Sequence, residues 1–119
     1  MPAKDVKYLI IFNDSPYGHQ RAYNGLRLAA ALARKDTLRV FLLGDGVVCG
    51  LAGLTPANAD YNPRELLRQI AATGAAIAAC GTCLDARGIV AEALIPEVRR
   101  GTMDELVAWV EESGQVITF

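Results

Sequence analysis

The chain has 119 residues, of which 52% are apolar and 21% charged, and its formal net charge is -1. This length fits one domain, predicted to span residues 1–119, that buries roughly two thirds of its unfolded surface. Scattered lysines and arginines argue against nucleic acid as a partner, and no apolar run approaches the ~20 residues needed to cross a bilayer, so we expect no membrane partner either.

The first half of the chain alternates apolar runs with helical periodicity. Lys7–Phe12 predicts a strand that is covered on both faces. A helix is predicted from about Tyr17 to Arg34, with Ser15 as its cap. Arg39–Leu43 predicts the second strand, and one or two helical turns are expected in Val47–Ala52.

The second half continues the alternation after a predicted surface loop over residues 53–62. A helix is predicted from Asn62 to about Thr73, with Arg64 facing water. The alanine-rich run Ala75–Cys80 predicts a third strand, since small side chains are tolerated where helices press on both faces.

The last segments predict a short strand near Glu97–Arg99, a helix capped at Thr102 and a terminal strand over Gln115–Phe119. Strands separated by helices favour right-handed crossovers. The expected fold class is therefore α/β, with a largely parallel sheet and helices on both of its faces.

Ligands and catalytic groups of such sheets gather at the carboxyl ends of the strands. One crevice at that edge is therefore predicted to hold the reactive side chains that follow strands one, two and three. These candidates are Asp14, Tyr17, Gly18, His19, Asp45, Cys49, Cys80, Cys83, Asp85 and Arg87.

The cysteines carry the most specific chemical signal. The opening residues lack the pattern of a secretory signal, so we expect a cytoplasmic protein in which Cys49, Cys80 and Cys83 are reduced thiols. A cation or backbone N–H group lowers the pKa of a thiol, and Arg87 is the predicted cation for Cys80. A helical turn is also predicted right after Cys80, with Thr82 as its cap. The alternative is that Cys80 is only a small buried apolar residue.

The Cys80-x-x-Cys83 spacing leaves three chemistries open. Two thiols at this spacing can close a disulfide, although the aromatic residue and proline of thioredoxin-like motifs are absent. Zinc is a weak alternative that would need His19 and Cys49 to join the pair, so the primary expectation is no metal. The third chemistry is sulfur carriage, in which a thiolate holds sulfane sulfur as a persulfide.

The order of several short segments resembles the DsrE/DsrF-like family over essentially the whole chain. These segments are Pro16-Tyr17-Gly18, the Cys80 motif with Arg87-Gly88-Ile89, and the terminal helix and strand that include Trp109. The chain is most similar to the small homo-oligomeric, YchN-like branch. The resemblance implies a three-layer α/β/α domain with a mostly parallel sheet of about five strands.

The resemblance also implies a function and partners. Relatives pass persulfide sulfur on the cysteine that matches Cys80, which implies a sulfur relay or sulfurtransferase role with protein sulfur donors and acceptors, no cofactor, and assembly as trimers or hexamers. Carriers in the family do not need a cysteine at Cys83. A non-catalytic binding module for a small ligand or metal, or a Cys80/Cys83 thiol-disulfide switch, remains the alternative.

Overall fold

Five parallel strands form one sheet in the computed structural model, which describes residues 5–18 and 20–119. The strands are β1 (Val6–Phe12), β2 (Leu38–Leu42), β3 (Ala76–Cys80), β4 (Arg99–Gly101) and β5 (Ser113–Thr118), and the helices are α1 (Arg21–Ala33), α2 (Pro63–Ala72), α3 (Gly81–Ala86) and α4 (Met103–Glu112). Short 3₁₀ helices span Gly44–Gly50, Ala59–Tyr61 and Ala91–Ala93.

The strand order is β4-β3-β2-β1-β5, so β3, β2 and β1 are the inner strands and β4 and β5 the edges. The inner strands are almost entirely buried because helices cover both faces of the sheet, which explains their continuous apolar runs. The predicted α/β fold class with three α/β/α layers and five strands is confirmed. No helix among the described residues is both long and apolar enough to span a bilayer.

Helix α1 begins later than its sequence pattern predicts. Its first residue is Arg21, and the residue before it, Gln20, provides no side-chain cap. Gly18 has a φ of 107°, which a right-handed helix cannot contain, so the helix cannot extend back to Tyr17. The predicted cap, Ser15, instead donates its hydroxyl to the carbonyl oxygen of Tyr17 at 2.9 Å.

Arg64 on α2 is buried, contrary to the prediction that it faces water. Its Nη1 donates to the carbonyl oxygens of Leu51 and Ala52, at 3.3 and 3.4 Å. The guanidinium therefore fastens the chain that follows the 3₁₀ helix Gly44–Gly50 to α2. The cap of α2 agrees with its predicted start, since the Asn62 side chain accepts from the Arg64 N–H.

Candidate functional site

Cys80 occupies the junction between β3 and α3. It is the last residue of the strand and the N-cap of the helix, and the residue is only 2% exposed. Its Sγ accepts a hydrogen bond from the backbone N–H of Cys83 at 3.4 Å and lies 3.2 Å from Thr82 Oγ1. Because α3 begins immediately after the strand, Cys80 takes the cap position predicted for Thr82.

The two sulfurs differ in their tendency to ionise. Burial alone would raise the pKa of Cys80, but hydrogen bonds from Cys83 and Thr82 outweigh burial and lower the pKa below its ordinary value. For Cys83, burial and the hydrogen bond to Cys80 raise the pKa. Cys80 is therefore the thiol of the pair that ionises more readily.

Cys83 is half-buried and receives its own polar contacts from the turn after β2. The Gly44 N–H donates to Cys83 Sγ at 3.2 Å, and the φ of 58° at Gly44 forms the turn that presents this N–H. Arg87 Nη1 donates to the carbonyl oxygen of Cys83 at 3.0 Å, while its Nε and Nη2 donate to Asp45 Oδ1 at 3.1 and 2.7 Å. Arg87 thus lies beside Cys83 and is not the cation that the sequence predicts for Cys80.

Arg100 is the cation beside Cys80. It pairs in register with Ala79 on β3, and its two Nη atoms bind the two Asp85 carboxylate oxygens at 2.8 and 2.9 Å. A Cβ on Gly81 would lie 2.8 Å from Arg100 Cζ, so the guanidinium rests against this turn where a larger residue would displace it. The Cys80 thiolate contributes to raising the pKa of Arg100, after the larger effects of Asp85, and this interaction in turn favours the thiolate.

Sequence reasoning missed Arg100 because it lies 20 positions from Cys80 in the chain and reaches it only through the pairing of β3 with β4. The available signal was Gly81, a glycine directly after a strand that other backbone or side chains can approach closely. Asp85 belongs to this arrangement, and its bidentate hydrogen bonds from Arg100 lower the pKa of its carboxyl group.

Cys49 and Asp14 form a different contact. Cys49 is fully buried, and its Sγ lies 3.8 Å from the carbonyl oxygen of Asp14. Burial raises the pKa of Cys49 to about 12, so this thiol stays protonated near neutral pH. The Asp14 carboxylate accepts from Arg21 Nε at 2.7 Å, outside the contacts of the Cys80–Cys83 pair.

Tyr17 and Gly18 line another cavity, with a volume of about 320 Å³. The other lining residues are Pro16, Gln20, Tyr23, Tyr61 and Pro63. Tyr17 closes one side by donating its hydroxyl to the carbonyl oxygen of Tyr61 at 3.2 Å. His19, the remaining crevice candidate, lies outside the described residues.

The alternative zinc set joins Cys49, Cys80, Cys83 and His19. Within residues 5–18 and 20–119, no three side chains of His, Cys, Asp or Glu lie close enough to hold a metal ion. The geometry therefore divides the predicted crevice into a thiol pair with two arginine–carboxylate pairs, a buried cysteine beside Asp14, and an aromatic cavity.

A profile of the DsrE/DsrF-like family matches residues 6–119. The chain belongs to this family. Protein YchN of Escherichia coli K12 is 39% identical over 116 residues, which cover 95% of this chain and 98% of YchN. An uncharacterized protein of Methanopyrus kandleri is 42% identical over 111 residues, which cover 92% of this chain and 91% of that protein.

The crystal structure of the E. coli YchN protein has the same fold, with a TM-score of 0.89 at 38% identity. The superposition covers 96% of this chain and 99% of that chain. The predicted family and its YchN-like branch are therefore confirmed. Membership of the DsrE/DsrF-like family suggests a sulfur-related role.

Proposed function

We propose that this protein carries sulfane sulfur as a persulfide on Cys80 and passes it between a sulfur donor and an acceptor. The observation that carries the proposal is the hydrogen bonding of Cys80 Sγ, which accepts from the Cys83 N–H and lies 3.2 Å from the Thr82 hydroxyl at the carboxyl end of an inner strand. These donors favour the thiolate, which is the nucleophilic form of the sulfur. Arg100 adds a positive charge beside the β3–α3 turn.

The transfer balances without a redox cofactor. The Cys80 thiolate attacks the outer sulfur of a donor persulfide, a new S–S bond forms on Cys80, and the donor leaves as its thiolate. Delivery repeats this exchange, with the acceptor thiolate attacking the outer sulfur and Cys80 leaving. Because a leaving thiolate departs faster when its pKa is low, the donors around Cys80 favour delivery as well as loading.

Mass spectrometry after brief exposure to a stoichiometric amount of inorganic polysulfide tests the proposal. We expect the Cys80 peptide of the Cys83→Ser variant to gain about 32 Da, the mass of one sulfur atom, and to lose it on reduction. Cys83→Ser is used because it leaves Cys80 as the only thiol of the pair.

Cys49→Ser is the matched control, since it removes a thiol that is fully buried and outside the pair. Added to Cys83→Ser, this change should leave the loading of Cys80 intact, whereas adding Cys80→Ser instead should abolish loading. Sulfur on Cys49 or Cys83 with none on Cys80 would contradict the proposal.

We also propose that the chain assembles as a homo-oligomer, a trimer or hexamer. Supporting this, one stripe of α4 exposes apolar side chains to solvent: Met103, Val107 and Val110 are 54%, 51% and 42% exposed. Their spacing of four and three residues places them on one helix face, apart from the buried Leu106 and Trp109. Exposed apolar side chains that form a contiguous patch favour association, here around a three-fold axis at which the same stripe of three copies meets.

Light scattering should give a mass of three or six chains for the wild type and a shift toward monomer for Val107→Glu. Val107→Glu should weaken association because burying an unpaired carboxylate in an apolar interface costs free energy. Asp104→Asn, which changes an exposed polar residue of the same helix, should leave the mass unchanged. A monomeric wild type would refute the assembly, and an intact oligomer of Val107→Glu would refute the role of this stripe.

A further inference from the structure

Cys83 has a set of polar contacts that sulfur carriage on Cys80 does not require. The Gly44 N–H donates to its sulfur at 3.2 Å, and the Arg87 guanidinium is held beside it by Asp45. Both the Gly44 hydrogen bond and the Arg87 charge act to lower the pKa of Cys83, against the effect of burial. These contacts stabilise a thiolate on Cys83 once that thiol gives up its proton.

The relative position of the two sulfurs determines which atom Cys83 would attack. The Cys83 N–H donates to Cys80 Sγ at 3.4 Å, and the two side chains leave the same helical turn three residues apart. Thiol–disulfide exchange needs the attacking, central and leaving sulfurs to lie nearly in line. Because Cys83 lies one turn from Cys80, its sulfur can approach Cys80 Sγ directly, with the outer persulfide sulfur leaving on the far side.

Residue spacing allows the resulting bond. Cys80 is the N-cap of α3 and Cys83 is three residues later, so their Cβ atoms are neighbours on one turn. Disulfides join cysteines whose Cα atoms are about 4.4–6.8 Å apart, a separation that is typical of residues three apart on a helix. A Cys80–Cys83 disulfide therefore needs little change of the backbone.

We propose that Cys83 is a resolving thiol that discharges the Cys80 persulfide as hydrosulfide, which makes this protein a thiol-dependent reductase of sulfane sulfur. The inference rests on the proposed function, because it needs a persulfide on Cys80. Its substrate class is sulfane sulfur delivered as a persulfide or polysulfide.

The step balances in atoms and electrons. The outer sulfur of the Cys80 persulfide takes the Cys83 proton, the Cys83 thiolate bonds to Cys80 Sγ, and the S–S bond to the outer sulfur breaks. The products are a Cys80–Cys83 disulfide and hydrosulfide, so the two electrons that reduce the sulfane sulfur come from the thiol pair. An external dithiol reductant must then reopen the disulfide for another cycle.

The test follows the fate of the sulfur in protein without added reductant. Reduced wild type is exposed to inorganic polysulfide equal to its thiol-pair concentration, freed of small molecules within seconds, and sampled over time. Released hydrosulfide is trapped with monobromobimane, and remaining thiols are blocked with N-ethylmaleimide before peptide mass spectrometry. We expect about one hydrosulfide per loaded chain and a linked peptide that is about 2 Da lighter than the reduced pair.

Cys83→Ser should hold the sulfur on Cys80 and release less than about a tenth as much hydrosulfide, because serine cannot form a disulfide. Cys83→Ala serves as a second variant with the same expected result. Cys49→Ser should behave as the wild type, since Cys49 lies outside the pair.

Three results would overturn the inference, and they differ from failure of the proposed function. Stable sulfur on Cys80 in the wild type would leave carriage intact and remove the role of Cys83. Transfer of the added sulfur onto Cys83 would show attack on the outer sulfur instead. Hydrosulfide release without a disulfide would show discharge by another route. Failure of every variant to load Cys80 would refute the proposed function itself.

Discussion

Near pH 7, the Cys83→Ala variant is expected to alkylate at Cys80 about tenfold more slowly than the wild type. The Cys83 side chain acts to lower the pKa of Cys80, and hydrogen bonds to charged groups are worth about 1.5–3 kcal/mol. Without this donor the pKa of Cys80 rises, so a smaller fraction is thiolate near neutral pH. Iodoacetamide labelling between about pH 5 and 10, read by peptide mass spectrometry, measures the change.

Cys83→Ser is the matched comparison, because its hydroxyl can still donate to the Cys80 thiolate. Its profile should stay close to that of the wild type. Cys80 is only 2% exposed, so access lowers the plateau rate at high pH, whereas the midpoint of the profile follows the pKa. Equal shifts of the midpoint in the serine and alanine variants would mean that the side chain at position 83 does not set the ionisation of Cys80.

Substitutions of Arg100 and Arg87 should have different effects on Cys80 labelling in the same assay. Arg100→Gln is expected to slow Cys80 labelling by about twofold, because the Arg100–Asp85 pair is solvent-exposed and water and salt weaken its field. Arg87→Gln should leave the Cys80 profile unchanged, since Arg87 contacts Asp45 and Cys83. The reverse order would restore the role for Arg87 that the sequence predicts.

The fold could be predicted from the sequence because each element has a local signal. The inner strands are continuous apolar runs, and α4 is capped at Thr102, whose side chain accepts from the Glu105 N–H at 3.1 Å. The predicted start of α1 at Tyr17 is wrong for a local reason too. Ser15 and Pro16 have the pattern of a helix start, but the positive φ at Gly18 is a property of the folded backbone that composition does not reveal.

The candidate site could be predicted only where its parts are close in the chain. Cys80 and Cys83 are three residues apart, so their contact follows from one helical turn. The partners of each sulfur depend on strand register and on turns from other elements. Arg87 is nearer to Cys80 in sequence than Arg100 is, yet the pairing of β3 with β4 places Arg100 beside the β3–α3 turn and leaves Arg87 beside Cys83.

Gly46→Ala is expected to lower the free energy of unfolding by about 3 kcal/mol or more. A Cβ at this position would lie 2.0 Å from the Phe12 carbonyl oxygen and 2.7 Å from its carbonyl carbon. Both atoms belong to the backbone at the end of β1, and the same oxygen accepts from the Leu43 N–H at 2.8 Å. Neither side can move without breaking the contact between β1 and the chain that leaves β2. Urea denaturation measures the loss.

Gly53→Ala is the matched control, because its Cβ would meet no atom within 4 Å and its unfolding free energy should change by less than about 0.5 kcal/mol. Gly46→Ala should also affect the thiol pair, because Gly44 and Asp45 directly precede Gly46 in the same 3₁₀ helix. Any folded fraction should lose the hydrogen bond from Gly44 to Cys83, and with it the support for a Cys83 thiolate. If this variant were as stable as Gly53→Ala, the 3₁₀ helix would have room to shift against β1, and the position of Gly44 beside Cys83 would not be fixed by that packing.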